Sequence, residues 1–134
     1  MRRTFLKAML IPLMVAGVSA VQAADNFKIM IGANPGGGYD QTGRGIGKAM
    51  QEAGVASAVT YENKGGAGGP IGLAQFVNAS KGDPNALVVT GAVMVGAIVQ
   101  NNPPITLGNA TPIARLLAEY NVFVVPANSP IKSM

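Results

Sequence analysis

The stretch FKIMIGANPGGGYD, residues 27–40, decides the fold that we predict for this chain. Residues 27–31 are a short, largely apolar run, which is typical of a strand, and residues 32–38 are a dense turn rich in glycine. Apolar residues then recur at the spacing of one helical face, at Ile46, Ala49, Met50 and Ala53. Gly54 ends this pattern. The sequence therefore predicts a strand, a glycine loop and a helix.

The same order recurs twice further along the chain. The second strand and helix are predicted at residues 58–61 and 71–80, with Pro70 in the first turn of the helix. The third strand and helix are predicted at residues 86–90 and 92–99. Strands that alternate with helices indicate an α/β fold, in which a mostly parallel sheet is flanked by helices.

The loops that follow the three strands are the candidate functional region. Ligands of parallel sheets bind beyond the carboxyl ends of the strands. We therefore expect residues 35–40, 65–69 and 90–93 to meet at one edge of the sheet. Two later runs, 113–117 and 122–125, are predicted to add further strands.

Residues 1–23 have the layout of a secretory signal peptide. Basic residues at Arg2, Arg3 and Lys7 precede an uncharged apolar stretch, residues 8–21, which is too short and too interrupted for a membrane span. We expect cleavage after Ala23 or one residue later, and a periplasmic product. The paired arginines leave both the general and the twin-arginine export route open.

The composition excludes several classes of function. The chain has no cysteine, which excludes disulfides, thiol catalysis, thiolate metal sites and lipid attachment through cysteine. It has no histidine, so the usual general base is missing too. Beyond the predicted signal, seven basic residues stand against six acidic ones, and this balance gives no reason to expect a nucleic acid partner.

The glycine loops predict an anion site at the edge of the sheet. Without side chains, their backbone N–H groups can approach an anion, and the helix N-termini add partial positive charge. The alternative is that the glycines only make tight turns. The dinucleotide fingerprint does not match, because Gln41 and Ile71 stand where it needs its last glycine.

Two side chains in the first loop have open roles. Asp40 stands where a helix N-cap belongs, and it is either that cap or an acid that faces the ligand. Tyr39 either offers its ring and hydroxyl to a ligand or packs against a partner lobe. Arg44 lies one turn further on, where it either reaches an anion or is a surface charge.

The order and spacing of two motifs resemble the Bug receptor family, the periplasmic substrate-binding proteins of tripartite tricarboxylate transporters. The motifs are PGGGYD at residues 35–40 with Arg44, and YENKGGAGGPIG at residues 61–72. The later run VFVVP, residues 122–126, also matches, so the resemblance covers nearly the whole chain after the signal.

This resemblance implies a periplasmic-binding-protein-like fold of type II, a two-lobed Venus flytrap. Residues 24–134 then correspond to the first lobe and the start of the crossover, without the second lobe, either as a fragment or as a truncated product. The implied function is non-enzymatic, without cofactor or metal. The receptor binds a small di- or tricarboxylate, such as citrate, and presents it to the membrane permease subunits. The implied ligand-binding residues are Gly36, Gly37, Gly38, Tyr39, Asp40, Gly66, Gly68, Thr90, Gly91 and Ala92.

Two other classes of function stay open at this point. An exported α/β hydrolase-like protein would use a loop to hold an oxyanion, although no serine or threonine has a histidine to serve it. A structural or sensor fragment would instead bind only a protein partner.

Overall fold

Three parallel strands alternate with three helices in the part of the chain that the computed structural model describes, residues 25–118, 120 and 122–133. The elements are β1 (Asp25–Ile31), α1 (Gly38–Glu52), β2 (Ala56–Asn63), α2 (Pro70–Ala79), β3 (Ala86–Val89) and α3 (Ala92–Asn101). The predicted α/β class, with a parallel sheet and flanking helices, is confirmed. The predicted signal peptide at residues 1–23 lies outside the described residues.

The strand order places the loops after β1 and β3 side by side. The sheet runs β2-β1-β3, and Ile31 at the end of β1 pairs with Asn63 of β2 and Val89 of β3. The chain thus moves outward from β1 to β2 and then crosses back past β1 to β3. Such a reversal of direction creates a crevice at the carboxyl ends of the two strands that it separates, here β1 and β3.

Glycine residues let α1 lie close to one face of the sheet. Ile29, Ile31 and Val89 form the core on this face. A Cβ atom on Gly43 would lie 2.9 Å from Cδ1 of Ile31, and one on Gly47 would collide with the Tyr61 side chain. A side chain at either position would force Ile31 or Tyr61 to move, and without one the helix backbone itself lies against the sheet.

The predicted apolar face of α1 is therefore only partly correct. Ile46 and Met50 are half-buried, but Ala49 and Ala53 are exposed. The buried positions of the helix are Asp40, Gly43 and Gly47. Hydropathy did not indicate them, because glycine is buried here for its size and Asp40 for its hydrogen bonds.

The opposite face of the sheet is covered by α2. Side chains alternate along a strand, so the buried Met30 points away from Ile29 and Ile31 and toward this second face. Leu73 of α2 and Met94 of α3 are fully buried, and α2 contacts both β1 and α3. The residues buried on the two faces form a small core, which is concentrated near the carboxyl ends of the strands.

The two strands predicted at residues 113–117 and 122–125 do not form. Both segments are irregular, and Ile113, Leu117 and Phe123 are exposed. Their β-branched and aromatic composition favours a strand, but a strand also needs a neighbour for its backbone hydrogen bonds. Among the described residues the two outer strands, β2 and β3, pair only with β1.

Within the described ranges, no helix combines the length and the apolar character that crossing a membrane requires.

Candidate ligand-binding cleft

A cleft of about 1270 Å³ opens at the carboxyl ends of β1 and β3, where the strand order predicts a crevice. Its walls are the loops after the three strands and the segment Ala114–Ala118. Seven of the ten residues predicted for the site line it: Gly38, Tyr39, Gly66, Gly68, Thr90, Gly91 and Ala92. The other three, Gly36, Gly37 and Asp40, are not part of its lining. The structure thus brings all three loops together, as predicted.

The Met94 side chain joins the loops beneath the cleft. Its methyl group packs against Gly32 and Gly69, where an added Cβ would lie only 2.8 and 2.6 Å from it. The Thr90 hydroxyl donates a hydrogen bond to the Met94 sulfur, at 3.1 Å. Met94 therefore fixes the spacing between the β1–α1 and β2–α2 loops, and Thr90 has a structural partner.

All three helices begin at this edge with a glycine as the N-cap. Gly37, Gly69 and Gly91 precede α1, α2 and α3, and none of these helices has a side-chain cap hydrogen bond. The first N–H groups of a helix have no partner within it. Pro70 lacks one of them in α2, so α1 and α3 supply more donors. No described residue accepts a hydrogen bond from the N–H groups of Gly38 or Ala92.

Tyr39 connects the start of α1 to the start of α3. Its hydroxyl oxygen accepts a hydrogen bond from the N–H of Met94, at 3.3 Å. Its ring lies against Gly91, where an added Cβ would be 2.8 Å from the ring carbon Cε1. The hydroxyl hydrogen has no acceptor among the described residues. Tyr39 thus positions two walls of the cleft and keeps one donor for a ligand.

Asp40 is not the N-cap of α1, so that prediction is wrong. The cap position belongs to Gly37, and Asp40 is the third residue of the helix. Its carboxylate is buried, where it accepts hydrogen bonds from the Gly36 N–H at 2.8 Å, Arg44 Nε at 3.0 Å and Asn63 Nδ2 at 2.9 Å. These bonds hold the first loop against the end of β2.

The hydrogen bonds of Asp40 also define its charge. The Arg44 guanidinium, followed by the Gly36 N–H and the Asn63 amide, lowers the pKa of the Asp40 carboxyl to about 2. The carboxylate is therefore ionised and paired, and it faces its protein partners. The N–H of Gly36 is occupied by the same carboxylate, which leaves Gly36 without that donor for a ligand.

Sequence reasoning missed several residues at this site. Asn63 completes the Asp40 network from another strand, 23 positions away along the chain. Asn34, Gln41 and Thr42 line the cleft beside the predicted glycines, and Arg115 lies in its remaining wall. Asn63 belongs to the motif at residues 61–72, which could have suggested it, whereas nothing in the local sequence singled out Arg115.

The chemistry of the cleft favours an anion. The described residues that line it supply amide N–H groups, the Tyr39 hydroxyl and the cationic Arg115, but no carboxylate. The hydroxyls of Thr42 and Thr90 also line it, and they donate to the Gly38 carbonyl and the Met94 sulfur. The described lining thus has hydroxyl groups without a base beside them. The described part of the chain has no group of acidic side chains arranged to hold a metal ion.

Comparisons of the chain with models of known protein families, with characterised proteins and with solved structures gave no match. What the fold and the cleft define is therefore a class: a small α/β unit with a parallel sheet and an anion-suited cleft at its carboxyl edge.

Proposed function

We propose that this chain is the first lobe of a periplasmic receptor that binds a small di- or tricarboxylate for a tripartite tricarboxylate transporter. The observation that carries the proposal is the meeting of glycine-capped helix N-termini at one cleft whose described lining has no acidic side chain. The resemblance of the motifs at residues 35–40 and 61–72 to Bug receptors supports the same function.

Carboxylate binding follows from the donors that the cleft offers. A carboxylate accepts hydrogen bonds from backbone N–H groups, and bonds to an ionised acceptor are stronger than neutral ones. The N–H groups at the start of α1 and α3 and the hydroxyl of Tyr39 are such donors. The positive ends of the helix dipoles add to their effect.

A binding role suits the cleft better than catalysis does. A hydrolase that formed an acyl or phosphoryl intermediate would need a nucleophile with a base beside it. Asp40, which directly follows the lining residue Tyr39, is hydrogen-bonded to Gly36, Arg44 and Asn63. Asp40 therefore has no hydrogen bond with a hydroxyl group of the cleft. The Thr90 hydroxyl, for example, donates to the Met94 sulfur instead.

The finer features of the proposal rest on the sequence. The predicted signal peptide at residues 1–23 supports a periplasmic location, and the resemblance supports a permease as the partner. It also supports a second lobe that closes over the ligand. A three-stranded parallel sheet with the order β2-β1-β3 is compatible with one lobe of such a receptor. Closure would exclude water and strengthen each hydrogen bond in the cleft.

Isothermal titration calorimetry with citrate and succinate tests the proposal. We expect saturable binding of at least one acid and a matching rise in melting temperature, because a ligand that binds only the native state stabilises it. Phosphate and a neutral amide such as acetamide serve as control ligands. No binding and no thermal shift with either acid would contradict the function.

A proline substitution then tests where the ligand binds. Gly38→Pro removes one N–H at the first position of α1, where proline is tolerated, and Gly37 before it has φ −77° and ψ 173°, which suit a residue preceding proline. The matched control, Gly38→Ala, keeps the N–H, and its Cβ would meet nothing within 4 Å. We expect Gly38→Pro alone to weaken binding, by about 10- to 100-fold. Equal affinities would place the ligand elsewhere.

A further inference from the structure

Arg115 is the one charged side chain among the described residues that line the cleft. It lies in the irregular segment Ala114–Ala118, which forms the wall not made by the glycine loops. The sequence before it contains no charged residue from Pro84 to Ala114, so Arg115 is the first charge after the third strand and helix. The described lining of the cleft thus carries one full positive charge.

No described residue neutralises this positive charge. Other basic side chains are paired with acids: Arg44 with Asp40 at 3.0 Å and Lys28 with Glu62 at 2.9 Å. Arg115 has no hydrogen bond or ion pair with any residue in the described part of the chain. Its guanidinium has five N–H donors in a planar fork that matches the two oxygens of a carboxylate.

We propose that Arg115 binds the second carboxylate of the ligand and makes the cleft selective for dicarboxylates over monocarboxylates. The inference rests on the proposed function, in which one carboxylate binds the N–H groups at the helix N-termini. A monocarboxylate can use those N–H groups but leaves the guanidinium in water. A second carboxylate at the other end of the ligand pairs with it, and no acid in the described lining competes.

Succinate and butyrate test the proposal, because they have the same number of carbon atoms and differ in one carboxylate. We expect the unmodified protein to bind succinate more tightly than butyrate. Arg115→Gln should lower the affinity for succinate by about tenfold and change the affinity for butyrate by less than about twofold. Arg115→Lys keeps the charge but loses the planar fork of donors, so its affinity for succinate should lie between those of the unmodified protein and Arg115→Gln. The succinate preference should also decrease as salt increases.

Lys64→Gln is the matched control. Lys64 is an exposed cation at the end of β2, on the same edge of the sheet, but it does not line the cleft. We expect it to change neither affinity by more than about twofold, because an exposed charge outside the site is screened by solvent and salt. If Lys64→Gln and Arg115→Gln weaken succinate binding equally, the proposal is overturned, and the overall positive charge of the protein explains the effect.

Two further outcomes separate the failure of this inference from that of the function. Equal binding of succinate and butyrate, both weakened by Gly38→Pro, would overturn the role of Arg115 and leave the receptor function standing. The absence of binding by succinate, butyrate and citrate together would overturn both. Tighter succinate binding that is lost selectively in Arg115→Gln would support the assignment.

Discussion

The contact between α1 and the sheet depends on the absence of a side chain at Gly47. A Cβ atom at this position would lie 2.9 Å from Cζ and 3.0 Å from Cε1 of Tyr61, and still closer to its hydroxyl. Ordinary carbon contacts need about 3.5–4.0 Å. Tyr61 also packs against the core and lies under the Arg44 guanidinium, 5.0 Å from its ring centroid. Gly47→Ala therefore forces the ring away from two sets of neighbours.

The expected magnitude follows from two opposing contributions. Alanine is better than glycine within a helix by about 1 kcal/mol, whereas overpacking a core costs about 1–3 kcal/mol. The difference of the two contributions is a lowering of the free energy of unfolding by up to about 2 kcal/mol in Gly47→Ala. Gly45 lies in the same helix, but a Cβ there would meet nothing within 4 Å. Gly45→Ala should therefore raise the free energy of unfolding, by about 0.5–1 kcal/mol.

Urea unfolding followed by circular dichroism measures both variants. The comparison is internal, because the same substitution in one helix should change stability in opposite directions. A third variant, Tyr61→Phe, removes the hydroxyl that is nearest to the added Cβ. Gly47→Ala should be less destabilising in that background, and the difference measures the coupling of the two residues. If Gly47→Ala and Gly45→Ala stabilise the protein equally, the close approach of α1 to the sheet is refuted.

Two further predictions concern the groups that hold the loops. The lowered pKa of Asp40, about 2, means that its carboxylate stabilises the fold above the pKa of the unfolded chain, about 3.9, and that this stability is lost as pH falls through 2. Between pH 5 and pH 2 the melting temperature of the unmodified protein should fall, and that of Asp40→Asn should depend less on pH. An equal pH dependence of the two melting temperatures would contradict the prediction. Met94→Ala should lower the free energy of unfolding by about 2–5 kcal/mol, because it leaves a cavity beside Gly32 and Gly69. Val99→Ala, at an exposed position of the same helix, is the control. If urea unfolding shows an equal effect for both variants, Met94 is not buried as described.

The regular part of the fold could be predicted because each element has a local signal. Glycine runs mark the end of β1 and β2, Pro70 marks the start of α2, and the uninterrupted apolar run of β3 marks a buried strand. Predicted and observed bounds of these strands and helices agree within a few residues. The position of the loops at one edge then follows from the parallel arrangement of the strands.

What could not be predicted depends on contacts between distant residues. The buried face of α1 is set by how closely its backbone lies to Ile31 and Tyr61, and hydropathy gives no signal for glycine at such a contact. The role of Asp40 depends on Asn63, which comes from a different strand. The strands predicted at residues 113–117 and 122–125 have the right composition, but composition does not supply a hydrogen-bonding partner.

The two uses of glycine in this chain have a consequence for how the site can be found by experiment. At Gly43 and Gly47 the missing side chain permits packing, so alanine there changes stability. At Gly38 the proposed function lies in the backbone N–H, which alanine retains, and an added Cβ meets nothing. An alanine scan would therefore assign importance to the packing glycines and none to the binding glycine. Proline at the first position of the helix, Gly38, detects the binding glycine instead, because it removes the N–H donor while keeping the helical backbone.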